Sequence, residues 1–427
     1  MKFSEIFTQY NDTIEKSIDV DPLGFGAIWT YFGQEIFQNK ISSATFDIRN
    51  FNLNLLNHYI IKNLSINNEQ IKDRILINPK ETIEKLLLIL ENMIVYSWYK
   101  NQVKWGKSRK GLLGTSKAIT KWTNSSNIEK SFNINSNFKN LELLKNQKTT
   151  GVNGIYKGSF LAMFNDANKD RNLSKDYDKY FEDIELYEEI TELIDKNKYL
   201  KALSTDVIEL FNQEEIEVAN IPILRYANVF LDHIEISNYM KNFWLKYLGF
   251  ESQEAKLIYD KIDFETSVED IIKQVNSDYK SEKLENIISL EPKLNYYENL
   301  FYYLLQQDGL LVDDFEKKDA VRFDISFSDE LEDIVESSVV KERLKELTNI
   351  TNLNQFIQYH QNRIIERGDN RTPWVEIKDN KIKVTNINAN SENIEEESLL
   401  EIYKDKIWGD RFYYLYTVSS IKRGFER

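Results

Sequence analysis

Only 14 glycines and five prolines interrupt 427 residues, and that scarcity restricts the fold more than any other feature of the sequence. Sharp turns draw on both residues. A chain this poor in them, and rich in Leu, Ile, Glu, Lys and Asn, is directed towards long helices rather than turn-rich sheets. The expected architecture is mainly α and multi-domain, with one or two small β elements. The length suffices for two or three domains, each burying a core of its own.

Helical spacing of apolar residues predicts the elements in turn. Ile6, Phe7, Tyr10 and Ile14 mark a helix over 4–17, and Asp21-Pro22 reads as the cap and first position of a second over 22–39. A third, over 44–64, is apolar on several sides and carries Arg49 and His58. Asn78-Pro79-Lys80-Glu81 opens a helix, running to about Tyr99, that is apolar nearly all round and therefore central to its domain. Further helices are expected over 180–197, 199–212, 220–248, 252–262, 267–278, 294–308, 329–347 (capped by Ser328) and 353–367, with a last one from about Ser398. Val321, Phe323, Ile325 and Phe327 alternate with polar residues, which predicts a strand near 320–327. Residues 373–385 read as a β-hairpin turning at Lys378-Asp379-Asn380-Lys381. Composition shifts suggest three consecutive regions: 1–165, helical and ending in a basic glycine-rich segment; 166–312, acidic and helical; and 313–427, helical with the hairpin.

The chain contains no cysteine, which excludes disulfides, thiolate catalysis, zinc–thiolate sites and iron–sulfur clusters. Its many Asn, Ile and Lys residues match the output of an AT-rich bacterial genome. Met1-Lys2-Phe3-Ser4-Glu5-Ile6 lacks the apolar core of a signal peptide. The longest apolar run, from Leu86, is broken by Glu91 and Asn92 before it reaches membrane-spanning length. A cytoplasmic protein without a membrane partner is expected.

Net charge is −14, so the surface as a whole repels nucleic acid and anionic lipid, and an anionic partner must be met by a local patch. One segment qualifies. Residues 92–165 hold twelve bases against only Glu129 and Glu142, together with six of the glycines. Lys104, Lys107, Arg109 and Lys110 cluster there, Lys117, Lys121 and Lys157 follow, and Trp105 and Trp122 flank a Gly-Leu-Leu-Gly-Thr-Ser-Lys run. Rings that stack on bases beside cations that meet phosphates suit DNA or RNA. A basic loop docking on an acidic protein surface, of this chain or of a partner, is the competing interpretation.

Other motifs are near misses. Gly106-Lys107-Ser108 lacks the earlier glycine of a P-loop, where Asn101 stands, and Gly24-Phe25-Gly26 lacks the third glycine of a dinucleotide fingerprint. Asp166, Asn168, Asp170, Asn172 and Ser174 follow calcium-loop spacing, but Arg171 and Tyr177 occupy the positions of its glycine and bidentate glutamate. No metal or cofactor site is expected. Asn153-Gly154, within a glycine-rich loop at 149–158, reads as a tight turn. His58, His233 and His360 are widely separated, and His58 reads as a hydrogen-bonded core or boundary residue. Asp369, Glu376 and Lys378 have the order of a magnesium-dependent nuclease site, the enzymatic alternative.

Asp21-Pro22-Leu23-Gly24, Gly33-Gln34, Ile41-Ser42-Ser43-Ala44-Thr45 and Asp47-Ile48-Arg49 resemble the opening of helical proteins encoded in bacterial anti-phage defence loci. The resemblance is confined to residues 21–49. It implies an accessory or sensor protein working beside a helicase or nuclease. The expectation is thus a nucleic-acid-binding subunit, with the nuclease and a structural subunit docking an acidic partner as alternatives.

Overall fold

A computed structural model describes residues 21–100, 131–133, 144, 147–164, 188, 191–192, 198–213, 215–217, 238–263, 265–323, 325–327, 335–366, 372–385 and 393–426. The chain is mainly helical and divides into two compact units: Met1–Gln38 with Phe250–Ser419, and Asn39–Gly249 with Ser420–Arg427. This partition cuts across the three consecutive regions expected from composition. Charge shifts along a chain mark its surface, whereas the units are set by which apolar faces share a core.

In the first unit the Glu282–Leu304 helix is central, burying Leu284, Ile287, Leu290, Leu294, Tyr297, Leu300 and Phe301. Against it pack the helices Phe25–Ile36, Val268–Asp278 and Glu396–Asp405. The Phe25–Ile36 helix begins three residues later than expected. Asp21 caps it from a preceding turn, its two carboxylate oxygens accepting the N–H groups of Phe25 and Gly26, both at 2.7 Å. Gly24, at φ +69°, makes that turn possible. Gly33 permits close packing, since a Cβ there would lie 3.1 Å from the backbone of Tyr413.

The helices Gln253–Lys261, Val268–Asp278 and Leu353–Glu366 match their periodicity closely. Elsewhere the described helices depart from expectation. The helix placed at 329–347 starts at Ser338, capped by the Ser337 hydroxyl, and residues 328–334 lie outside the described residues. The C-terminal helix is two, Glu396–Asp405 and Leu415–Phe425, because Lys406 turns the backbone left-handed at φ 52°.

The described residues of 320–327 alternate in burial as expected but form no strand. Phe323 and Phe327 pack on helix aromatics, Phe356 and Tyr297, at 5.9 Å each. The backbone is satisfied by side chains: the Tyr296 hydroxyl donates to the carbonyl of Ala320 and accepts the N–H of Arg322, and Lys293 donates to the carbonyl of Ser326. Alternation records a half-buried extended segment, and here helices, not a neighbouring strand, provide the buried side. The hairpin is present as Val375–Lys378 paired antiparallel with Lys381–Val384. Asp379 and Asn380, both at positive φ, form a two-residue turn tighter than the expected four.

The second unit contains the helices Ile48–Asn67, Glu69–Ile77, Pro79–Lys100, Gln147–Thr150, Val152–Phe164, Lys198–Asn212 and Asn238–Tyr247, with Ser131–Asn133 paired antiparallel to Glu215–Glu217. Asn68 both ends the first helix, donating its N–H to Leu64, and begins the next, its side chain accepting from Ile71 at 2.9 Å. Leu53, Leu56, Ile60 and Leu64 join Leu86, Leu90, Met93 and Ile94, and Leu203, Val207 and Phe211, in one core. A second cluster gathers Phe51, Tyr156, Phe160 and Trp244, with Phe51 4.7 Å from Tyr156 and 5.3 Å from Trp244.

Candidate functional site

Within this apolar second unit lies a seam of polar side chains. The Pro79–Lys100 helix presents Glu91, 5 % exposed, to the start of the Val152–Phe164 helix. Glu91 Oε1 accepts the N–H of Asn153 at 2.9 Å, and Oε2 accepts from Gln147 Nε2 at 2.9 Å. A helix amino terminus exposes unsatisfied N–H groups and a partial positive charge, both of which a carboxylate matches. Gly151 allows the approach, because a Cβ there would fall 2.5 Å from Glu91 Oε2. Burial raises the Glu91 carboxyl above its ordinary range, with the bonds from Asn153 and Gln147 acting in the opposite direction.

Asn153 extends the seam to the Ile48–Asn67 helix through its Oδ1, 3.0 Å from His58 Nε2. Burial lowers the His58 imidazole to about 4, so it is neutral at pH 7. One face further along, Asn50 Nδ2 and the N–H of Asp47 both donate to the Tyr156 hydroxyl at 3.2 Å. Asn52 Oδ1 accepts from Trp244 Nε1 at 2.6 Å. Thus Asn153-Gly154 is not a turn. It forms part of the first turn of a helix, where the buried Glu91 carboxylate overrides the local turn preference.

Of the cationic and aromatic residues singled out from sequence, only Lys157 is among the described residues. Lys104, Trp105, Lys107, Arg109, Lys110, Lys117, Lys121 and Trp122 lie outside the described residues. Lys157 is described, half-buried on the Val152–Phe164 helix one turn beyond Asn153, where its charge further lowers the His58 pKa. The described ends of the basic segment, on Pro79–Lys100 and on Gln147–Phe164, are joined through Glu91. The calcium-like loop also lies outside the described residues, as does Asp369. Glu376 and Lys378 are exposed on the same face of the hairpin, with Glu376 opposite Lys383 and Lys378 opposite Lys381. Among the described residues no three His, Asp or Glu side chains converge as a metal site.

The first unit holds a separate buried ionic network. Glu291, fully buried, accepts from Arg411 Nη1 at 2.8 Å, from the Tyr413 hydroxyl at 2.5 Å and from the N–H of Gly409 at 3.2 Å, while Arg411 also binds Glu298. Burial opposes the Arg411 charge, but Glu291 and Glu298 outweigh it and hold the guanidinium above its ordinary range. His360 accepts the N–H of Trp374 on Nε2 at 3.0 Å, which leaves Nδ1 to donate to the carbonyl of Pro22 at 2.9 Å. Every group in this chain of contacts is bound to another part of the fold, as befits an internal brace.

In the sequence Glu91 and Asn92 stand out only as the break in an apolar run, and the seam is not apparent from it. The available signal was polar residues at 50, 54, 57 and 58, one helical stripe, inside a helix otherwise apolar on several sides. Comparison of the chain with protein families, curated proteins and solved structures found no match in any of the three.

Proposed function

We propose that this protein is a nucleic-acid-binding accessory or sensor subunit that meets phosphates through its basic, tryptophan-containing segment. One observation carries the reading: a chain of net charge −14 concentrates twelve bases and two acids in residues 92–165. Such a concentration against the overall charge gives a local anion site without making the whole surface sticky. The Glu91 junction supports the reading, because it fastens the helices at the two ends of this segment, Pro79–Lys100 and Gln147–Phe164, to one buried group. Lys104, Lys107, Arg109, Lys110, Lys117, Lys121 and Lys157 serve as phosphate contacts and Trp105 and Trp122 as stacking platforms. The resemblance of residues 21–49 extends the proposal to a bacterial antiviral defence complex with a helicase or nuclease partner. Equilibrium binding to short single- and double-stranded DNA and RNA tests it directly: saturable, salt-sensitive binding is expected, and its absence at low salt overturns the reading.

A further inference from the structure

The buried amides of the Ile48–Asn67 helix fall into two sets. Asn50 and Asn52 are hydrogen-bonded to Tyr156 and Trp244. Asn54 and Asn57, 0 % and 1 % exposed, are not: among the described residues neither Oδ1 nor Nδ2 of either side chain has a hydrogen-bond partner. The two stand next to each other on one stripe of the helix, between Asn50 and His58. Since those neighbours bond to Tyr156 and Asn153, the stripe runs beside the Val152–Phe164 helix. Leucine at both positions would fill similar volume and extend the core of Leu53, Leu56 and Ile60, so the amides reduce stability where they stand.

We propose that Asn54 and Asn57 form a buried binding site for a small uncharged ligand that presents a hydrogen-bond donor and acceptor side by side. This is the chemistry shared by a primary carboxamide and a nucleobase edge. A carboxamide side chain offers the complementary pair, as when asparagine reads the donor and acceptor of adenine in two parallel bonds. Charge argues for a neutral ligand. Neither amide carries a charge, so an ion held by these two side chains alone would lose its hydration without gaining a counter-charge. The site is closed to solvent, so entry requires the surrounding helices to part and association is slow. None of this depends on the phosphate-binding segment proposed above.

The test uses the full chain and its Asn54→Leu/Asn57→Leu variant. Melting temperature is measured against the four free ribonucleosides in one arm and against acetamide and nicotinamide in the other. At least one probe should raise the melting temperature of the parent in a concentration-dependent way. The double variant should melt higher than the parent without ligand and bind that probe at least about tenfold more weakly, the loss expected for a two-bond amide contact. A nucleoside-only response assigns a base edge, and an amide-only response a carboxamide. Should the variant fail to fold, asparagine side-chain amide signals of the parent provide the readout, two of which should shift with ligand. The proposal is overturned if no probe acts up to about 10 mM, ten times a millimolar Kd, or if the response persists unchanged in the double variant.

Discussion

The Glu91 carboxylate accepts the backbone N–H of Asn153 at 2.9 Å across 62 residues of sequence. With Gln147 on its other oxygen, the one side chain joins the Pro79–Lys100 helix, where the basic segment begins, to the two helices with which it ends. Glu91→Ala leaves the Asn153 N–H without its acceptor and the Gln147 amide with its longer bond to Asn92 Oδ1, at 3.3 Å. A loss of about 1–3 kcal/mol is expected in urea unfolding, the cost of one donor left without an acceptor. A change within error of zero would mean that the seam is not closed in solution.

His58 gives the seam a pH dependence. Its pKa falls from 6.5 to about 4 on folding, so the unfolded chain binds the extra proton between those values. The stability it contributes is complete above pH 6.5 and is lost as pH falls towards 4, in total about 3 kcal/mol. The raised carboxyl of Glu91 works in the opposite sense, favouring the folded state as pH falls. The comparison is therefore parent against His58→Gln, which share Glu91: the parent should lose stability relative to the variant from pH 6.5 down to 4. Parallel pH profiles would show that His58 is not buried as described.

Two glycines make opposite predictions. At Gly33 an added methyl meets the backbone of Tyr413 at 3.1 Å, and Gly33→Ala should cost about 1–3 kcal/mol through displacement of that segment. Gly158 lies exposed within the Val152–Phe164 helix with nothing within 4 Å of an added Cβ. Gly158→Ala should therefore stabilise by about 0.5–1 kcal/mol, the helix-propensity difference. Thermal unfolding of both variants checks the pair.

Glu291 anchors the first unit. Glu291→Gln keeps its shape but removes one of the two carboxylate charges paired with Arg411, itself only 8 % exposed. About 1–3 kcal/mol should be lost, less than the roughly 3–5 kcal/mol of a fully uncompensated buried cation, because Glu298 still pairs with Arg411. Chemical denaturation monitored by tryptophan fluorescence is a suitable measurement, since Trp29 packs 6.4 Å from Tyr413 in this network.

Several of these elements were legible in the sequence for identifiable reasons. Sparse glycine and proline gave the helical class, and apolar spacing placed Gln253–Lys261 and Leu353–Glu366 closely. Asp379-Asn380 between apolar strands gave the hairpin. Residues 320–327 misled because alternation reports burial, not what lies on the buried side. Asn153-Gly154 misled because a carboxylate distant in sequence decides its conformation. The partners of Glu91 and His58 were invisible for the same reason: a polar residue within an apolar helix announces burial, but its bonding partner is set by tertiary packing.

The most direct test of the nucleic-acid proposal is a salt titration of oligonucleotide binding by the parent and a variant with Lys104, Lys107, Arg109 and Lys110 all replaced by Gln. Each lost phosphate contact lowers the magnitude of the slope of log affinity against log salt by about 0.7 for a single strand or 0.9 for duplex DNA. The account predicts a parent Kd below about 100 µM at low salt and a variant slope shallower by roughly three units. A parent that does not bind in that range, or a variant with the parent's slope and affinity, would contradict it.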